Sequence, residues 1–357
     1  MHELSQMIKD DMKPALGVTE PGAIAFAVAK ARSFTKGDIK KVNVAMNSGM
    51  YKNAFTCGIP NSNEVGNIFA AALGVVAGNA DKGLESLADV TPEDNVKAQE
   101  MIDQGKITVE LSGITSRIFI EATVETEEDK AIVTIRDSHT NITKIIVNDK
   151  VELETEDEKK TEEDGGEEES HSIHKYTLQQ LYDYVTTVDI EEIRFINEAY
   201  KVNLELFHEG LENPRTTFAR QLLAINNGKE VSDDEQKTAS LMCNAAIEAR
   251  VIGLDKPAMS ITGSGAHGII ATMPLYAAYK VNGYTEEQLL RATALSYLVC
   301  MYIKEYSGRL SAFCGCAIAA GSGMACALVY LRGGTVEMMA HTLNNMASSI
   351  TGMICDG

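Results

Sequence analysis

The sequence predicts an α+β protein: a mixed α/β lobe joined to a mainly α-helical lobe that carries the cysteines. Three observations carry this. Residues 39–150 contain several segments with apolar side chains at alternate positions, as in half-buried strands. Residues 175–357 instead space apolar residues three and four apart, as in packed helices. A strongly acidic run lies between the two patterns.

Taken in order, residues 1–35 read as helical and are expected to pack on the helical lobe. Asp10-Asp11 and Pro14 break the first stretch. Thr19-Glu20-Pro21 opens a second: Thr19 suits a cap, Glu20 the positive helix end and Pro21 the first turn. Residues 36–153 form the α/β lobe. Within it IKKVNVAMN alternates like a strand, and EVGNIFAAALGVVAGN reads as an apolar, alanine-rich helix. KITVELS, IFIEATVET, AIVTIRDS and KIIVNDKVELE come next as strands rich in Val, Ile and Thr, which fit a pleated, half-buried surface. Residues 154–174 are expected to be an acidic flexible linker. Residues 175–357 make the helical lobe, with segments such as DEQKTASLMCNAAIEARVIGL and QLLRATALSYLVCMYIKEYSG. Their Ala, Gly, Ser and Met content suggests tightly packed, buried helices.

Charge and composition exclude some functions. The net charge is −19, and residues 151–170 contribute eleven acids against two lysines. Phosphate binding needs a basic surface, so nucleic acid is not an expected partner. No stretch of about 20 residues lacks polar groups, so no membrane span is expected. The polar N-terminus does not read as a signal peptide. Seven cysteines without secretion signals point to reduced thiols in the cytoplasm.

Five of those cysteines lie after residue 299, and Cys314-Gly315-Cys316 and Cys355 lie beside glycine or in short polar segments. Thiolates favour soft metals and iron–sulfur clusters, and a Cys314–Cys316 disulfide would be strained. Buried cysteines packing as small hydrophobes are the alternative. Four polar, glycine-bearing segments interrupt apolar sequence. They are Gly17 to Pro21; Tyr51-Lys52-Asn53 with Gly58 to Asn63; Gly263-Ser264-Gly265-Ala266-His267-Gly268; and Lys304 to Ser311. The third formally matches G-x-G-x-x-G, but Pro274 breaks the segment after it and no βαβ unit surrounds it. Its glycines instead bare backbone N–H groups to an anionic group, with His267 alongside. Lys52 and Asn53, at the end of a strand, suit a carboxylate. Arg309 offers a planar fork to one, with Ser311 close by. His139 reads as structural. Gly17 to Pro21, Lys52-Asn53, Gly263 to Gly268, Arg309 and the set Cys314, Cys316 and Cys355 are expected to line one pocket.

Together GVTEPGAIAFA, MYKNAFTCGIP, AAALGVVAGNADKGLESL, HTNI, GSGAHGI, KEYSGRLSAFCGC and TGMICDG resemble the L-cysteine desulfidase family, related to iron–sulfur L-serine dehydratases and the serine dehydratase alpha-like proteins. The resemblance covers almost the whole chain. It implies a lyase that releases pyruvate and ammonia from L-cysteine or L-serine, expelling sulfide or water. It further implies a [4Fe–4S] cluster held by three cysteines as Lewis acid, without pyridoxal phosphate. On this basis Lys52, His267, Arg309 and Ser311 are expected to be catalytic. Thr19, Glu20, Asn53, Gly263, Ser264 and Gly265 would bind substrate, and Cys314, Cys316 and Cys355 would hold metal. A small amino acid is the expected partner, with a homodimer an open arrangement.

The chain departs from the family pattern at Val18, where the family has cysteine, and at Asn61-Ser62-Asn63, where it has G-T-G. Valine cannot ligate iron. Cys57, before Gly58-Ile59-Pro60, is a candidate replacement. The alternative function is a relative that has lost the cluster and only binds an amino-acid-like ligand, or catalyses a different reaction. The acidic run generates a first prediction: it cannot bury enough apolar area to offset its ordering entropy. Deleting residues 155–172 and joining the flanks should leave the melting temperature unchanged, as calorimetry would show.

Overall fold

The computed structural model describes residues 1–115, 117–155, 173–307, 310–311 and 313–355. Arg309 and residues 156–172 of the expected linker lie outside the described residues. These contain fourteen α-helices and eight strands, an α+β fold. The chain opens with α1 (Glu3–Asp11) and β1 (Lys13–Leu16), then builds α2 (Thr19–Arg32), β2 (Ile39–Asn47), α3 (Ser48–Ala54), α4 (Asn67–Ala77) and α5 (Pro92–Asp103). Strands β3 (Ile107–Gly113), β4 (Phe119–Thr126), β5 (Lys130–Arg136), β6 (Ile142–Val147) and β7 (Lys150–Glu154) come next. Helices α6 (Leu178–Thr187), α7 (Ile190–Ile193), α8 (Asn197–Glu212), α9 (Phe218–Ile225) and α10 (Glu235–Val251) precede β8 (Pro257–Ser260). Helices α11 (Gly265–Asn282), α12 (Glu286–Ser307), α13 (Gly321–Leu331) and α14 (Val336–Ile350) come last. No helix of the described residues is long and apolar enough to cross a membrane.

Two compact units result: Met1–Leu16 with His171–Cys355, and Gly17–Ser170 with Asp356–Gly357. The N-terminal helices divide between them, α1 in the first and α2 in the second.

In the second unit a six-stranded sheet has the order β3-β2-β4-β5-β6-β7. Only β2 and β3 run parallel; the other neighbours are antiparallel. Alternate residues of the three middle strands are fully buried: Val42, Val44 and Met46; Ile120, Ala122 and Val124; Ala131, Val133 and Ile135. Helix α2 packs on β4 and β5 and is itself covered by α4. It is apolar on every side, and alanines keep it thin enough to be covered twice. A Cβ on Gly74 of α4 would lie 2.7 Å from the Ala25 carbonyl. The last strand, β7, is an exposed edge bearing Lys150, Glu152 and Glu154, charges that discourage further pairing. Thr19 is the first helical residue rather than the cap. The extended backbone reaches through Val18, which has no acceptor to offer the helix.

The first unit is helical except for β1 and β8, which pair antiparallel, with Lys13 opposite Ser260. Glycine-rich residues 263–268 therefore come after a strand of a two-stranded antiparallel ribbon, not of a βαβ unit. Helix α11 is the hub. Ile269, Met273 and Ala277 enter one apolar cluster, Ala271 a second, and Leu275 and Ala278 a third. Each large buried side chain contributes about 1.5–3 kcal/mol. This explains why α11 continues through Pro274, where the sequence suggests a break. Proline forgoes one backbone hydrogen bond, but ending there would leave Leu275, Ala277 and Ala278 without a helix to bury them.

Three glycines allow backbones to touch in this unit. A Cβ would lie 2.3 Å from the Ala245 carbonyl at Gly210, 2.3 Å from the Ser296 carbonyl at Gly323, and 1.7 Å from the Met259 carbonyl at Gly268. The last contact presses the first turn of α11 onto β8. Gly268→Ala should therefore destabilise by about 3 kcal/mol, the upper end for overpacking. Gly113→Ala, where nothing lies within 4 Å, should cost far less. Urea denaturation midpoints of the two variants would show the difference.

Candidate functional site

The segments expected to line one pocket divide between the two units: Gly17 to Pro21 and Lys52-Asn53 belong to the second, the other segments and the cysteines to the first. In the first unit the centre is the start of α11. After β8, Thr262 (φ 55°) and Gly263 (φ 72°) are both left-handed, and Ile261 and Ser264 exchange backbone hydrogen bonds of 3.2 and 3.1 Å. Two left-handed residues in succession suit a tight reversal, but a β-branched residue there is strained. Thr262 is held by its bonds: its N–H donates to Asp11 (2.5 Å) and its hydroxyl to the Ile261 carbonyl (2.7 Å). Ser264 caps α11 by accepting the His267 N–H at 3.5 Å.

His267 is buried, and its Nδ1 lies 2.6 Å from the Thr262 hydroxyl. Because that hydroxyl already donates to a carbonyl, it accepts here, which places the imidazole proton on Nδ1 and leaves Nε2 an acceptor. Burial, then the nearby Lys304 and Arg250 cations, push the His267 pKa down to about 3. Nε2 faces Gly315, where a Cβ would come within 2.7 Å of it. Glycine between Cys314 and Cys316 is thus needed for the imidazole to lie against the backbone.

Cys314 and Cys355 are brought together by a short pairing of two chain segments. Phe313 bridges Ile354, and the Cys314 N–H donates to the Met353 carbonyl at 2.9 Å. Cys316 begins a π-helical segment, Cys316–Ala320, that leads into α13; such segments are rare and often lie at functional sites. Its thiol hydrogen-bonds with Cys314. That bond, burial and the neighbouring Cys314 and Cys355 raise its pKa well above the ordinary value, while Arg250 opposes them. Three thiols outside any disulfide are therefore neighbours, a donor set suited in chemistry to an iron–sulfur cluster. Among the described residues no three His, Cys, Asp or Glu side chains are gathered as for a single metal ion. Lys304 is buried, and its Nζ donates to Ser311 (3.1 Å) and Ser307 (3.3 Å). Ser311 in turn donates to the Phe313 carbonyl at 3.0 Å, next to Cys314. Arg309 lies outside the described residues.

In the second unit Glu20 is buried in the first turn of α2 and accepts from Asn53 Nδ2 at 2.9 Å. His139 Nε2 lies 3.9 Å from the same carboxylate, so this histidine joins Glu20 rather than standing apart. Lys52 and Asn53 are not a strand end but lie on the short helix α3, because Asn47 ends β2 and the chain coils at once. Among the described residues Asn53 Oδ1 is buried without a hydrogen-bond partner. Cys57 is buried and its thiol donates to the Asn53 carbonyl at 2.8 Å. Val18 is buried at the head of α2, and Gly17 faces the Pro60 ring at 3.6 Å from where its Cβ would be. A buried carboxylate beside an unsatisfied amide oxygen can accept hydrogen bonds from an ammonium group.

Sequence reading missed Arg250 and passed over Lys304. Both are buried cations on helices whose local pattern is ordinary. The only sequence signal for either is indirect: a glycine at 265 that frees the space Arg250 fills.

The serine dehydratase alpha chain family model matches residues 81–357. A UPF0597 protein of Clostridium botulinum strain Langeland is 40% identical over 353 residues, covering 98% of this chain and 82% of the relative. UPF0597 proteins of Caldanaerobacter subterraneus subsp. tengcongensis and Bacteroides fragilis are 36% and 35% identical, each over 99% of this chain and 82% of their own length. No solved structure matches the chain significantly.

The buried neutral His267 makes stability depend on pH. The unfolded imidazole takes a proton near 6.5, the folded one only near 3, so the unfolded state binds more protons in between. Stability contributed at this position is complete above pH 6.5 and is lost as pH falls, by about 1.4 kcal/mol per unit. His267→Gln should flatten the slope of unfolding free energy between about pH 6 and 4.5 by about that amount in urea titrations.

Proposed function

The chain belongs to the serine dehydratase alpha chain family, and from that premise we propose that it is a lyase acting on L-serine or L-cysteine. The α-proton and the β-substituent leave together as water or sulfide. The resulting enamine acid hydrolyses to pyruvate and ammonia. The observation that supports this most is the packing of His267 Nε2 against Gly315, between Cys314 and Cys316.

Cys314, Cys316 and Cys355 would hold an iron–sulfur cluster, which when bound supplies a Lewis acid for the departing group. His267 Nε2 is the acceptor for the α-proton, with Nδ1–H fixed by the Thr262 hydroxyl and its lowered basicity partly restored when an anionic substrate offsets the Lys304 and Arg250 charges. Lys304 and Ser311 form a hydrogen-bonded pair beside Cys314 that orients the polar end of the substrate.

Protein purified without oxygen and supplied with iron and sulfide tests this. Ammonia and pyruvate should appear from L-serine or L-cysteine, and His267→Gln should lower kcat by about 100-fold or more. Wild-type protein loaded with iron and sulfide that releases ammonia from neither amino acid would overturn this reading.

A further inference from the structure

Arg250 lies in the last turn of α10, with 7% of its surface exposed. Among the described residues its Nε is buried with no hydrogen-bond partner and its side chain makes no ion pair. Arginine stays charged in proteins, and an isolated charge away from water is strongly unfavourable. Among the described residues the guanidinium is therefore a cation, buried at its Nε, with no carboxylate paired to it.

Its position says where the anion belongs. Nε comes 2.7 Å from where a Cβ on Gly265 would sit, so the side chain lies along the first turn of α11. The field of Arg250 reaches both His267 and Cys316. Gly265 and Ala266 are the first two residues of the 18-residue helix α11, so their N–H groups have no intrahelical acceptor. Helix N-termini with free N–H groups favour anions. The Thr262 N–H is already taken by Asp11.

We infer that Arg250 and the N-terminus of α11 form an anchor for one small carboxylate, held in the guanidinium fork beside His267. A carboxylate matches that planar fork with two parallel hydrogen bonds. The Ala258 Cβ, 2.9 Å from the Gly265 Cβ position, keeps this part of the turn tight, which favours a flat monoanion over a tetrahedral one. This inference rests on the lyase reading, in which the ligand is an amino acid and the product pyruvate. Arg250 would bind the carboxylate and leave the ammonium group to other residues.

Calorimetric titration of the full chain, without iron, gives the test. Wild-type protein should bind pyruvate, and the uncharged pyruvamide should not bind. Arg250→Met should weaken pyruvate binding by about 10- to 100-fold, and Arg250→Lys, which keeps charge but loses the fork, by about tenfold. Without pyruvate, Arg250→Met should melt at the same or a higher temperature, because it removes an unpaired buried charge. If that variant does not fold, Arg250→Lys carries the test. Absent pyruvate binding in the wild type, binding in Arg250→Lys within about threefold of it, or a preference for inorganic phosphate over pyruvate would each overturn the inference. Iron-loaded protein separates the two readings. Pyruvate binding that depends on Arg250 without ammonia release leaves the anchor standing and the lyase reading fallen. Ammonia release with unchanged kcat/KM in Arg250→Met does the reverse.

Discussion

The cysteine-bearing site depends on how closely the first turn of α11 lies against its surroundings. Gly268 touches the Met259 carbonyl of β8, Gly265 gives room to Arg250, and Gly315 receives His267. Each contact exists because a Cβ is missing. The three act in series: the first fixes the helix against the strand, the second admits a cation along its first turn, and the third brings the cysteine segment up to the imidazole. A side chain at any of these points would displace groups that the next contact needs.

Electrostatics grow out of that packing. Arg250 and Lys304 are both buried near His267, which responds by remaining neutral. The thiol of Cys316 experiences opposite influences, raised by its fellow cysteines and lowered by Arg250.

Much of the fold is readable in the sequence because its burial obeys simple periods. Strand β2 spans the alternating segment IKKVNVAMN, as expected, since Val42, Val44 and Met46 all face one covered side. The cysteine segments also announce themselves through unusual composition. Other features resist such reading. Pro274 looks like a helix break, yet burial on both sides of it outweighs one lost hydrogen bond. Lys52 and Asn53 look like a strand terminus, but the chain turns into helix directly after Asn47. Arg250 looks like a basic residue placed to favour the negative end of α10. Its inward direction is set by Gly265, fifteen residues later and in another helix, and no local pattern carries that information.

The β1–β8 ribbon bears on how the chain is made. Lys13 leaves the ribosome 247 residues ahead of its partner Ser260. At ordinary rates of synthesis that is a wait on the order of 10 to 50 seconds. In that interval the whole stretch from Gly17 to Ser170 has emerged and has only itself to fold with. The helical unit, by contrast, opens with α1 and β1, which must be kept available until the rest of the polypeptide arrives. Its folding is governed by one late, long-range closure, and the sixteen leading residues are the part most exposed to chaperones and proteases while that closure is pending.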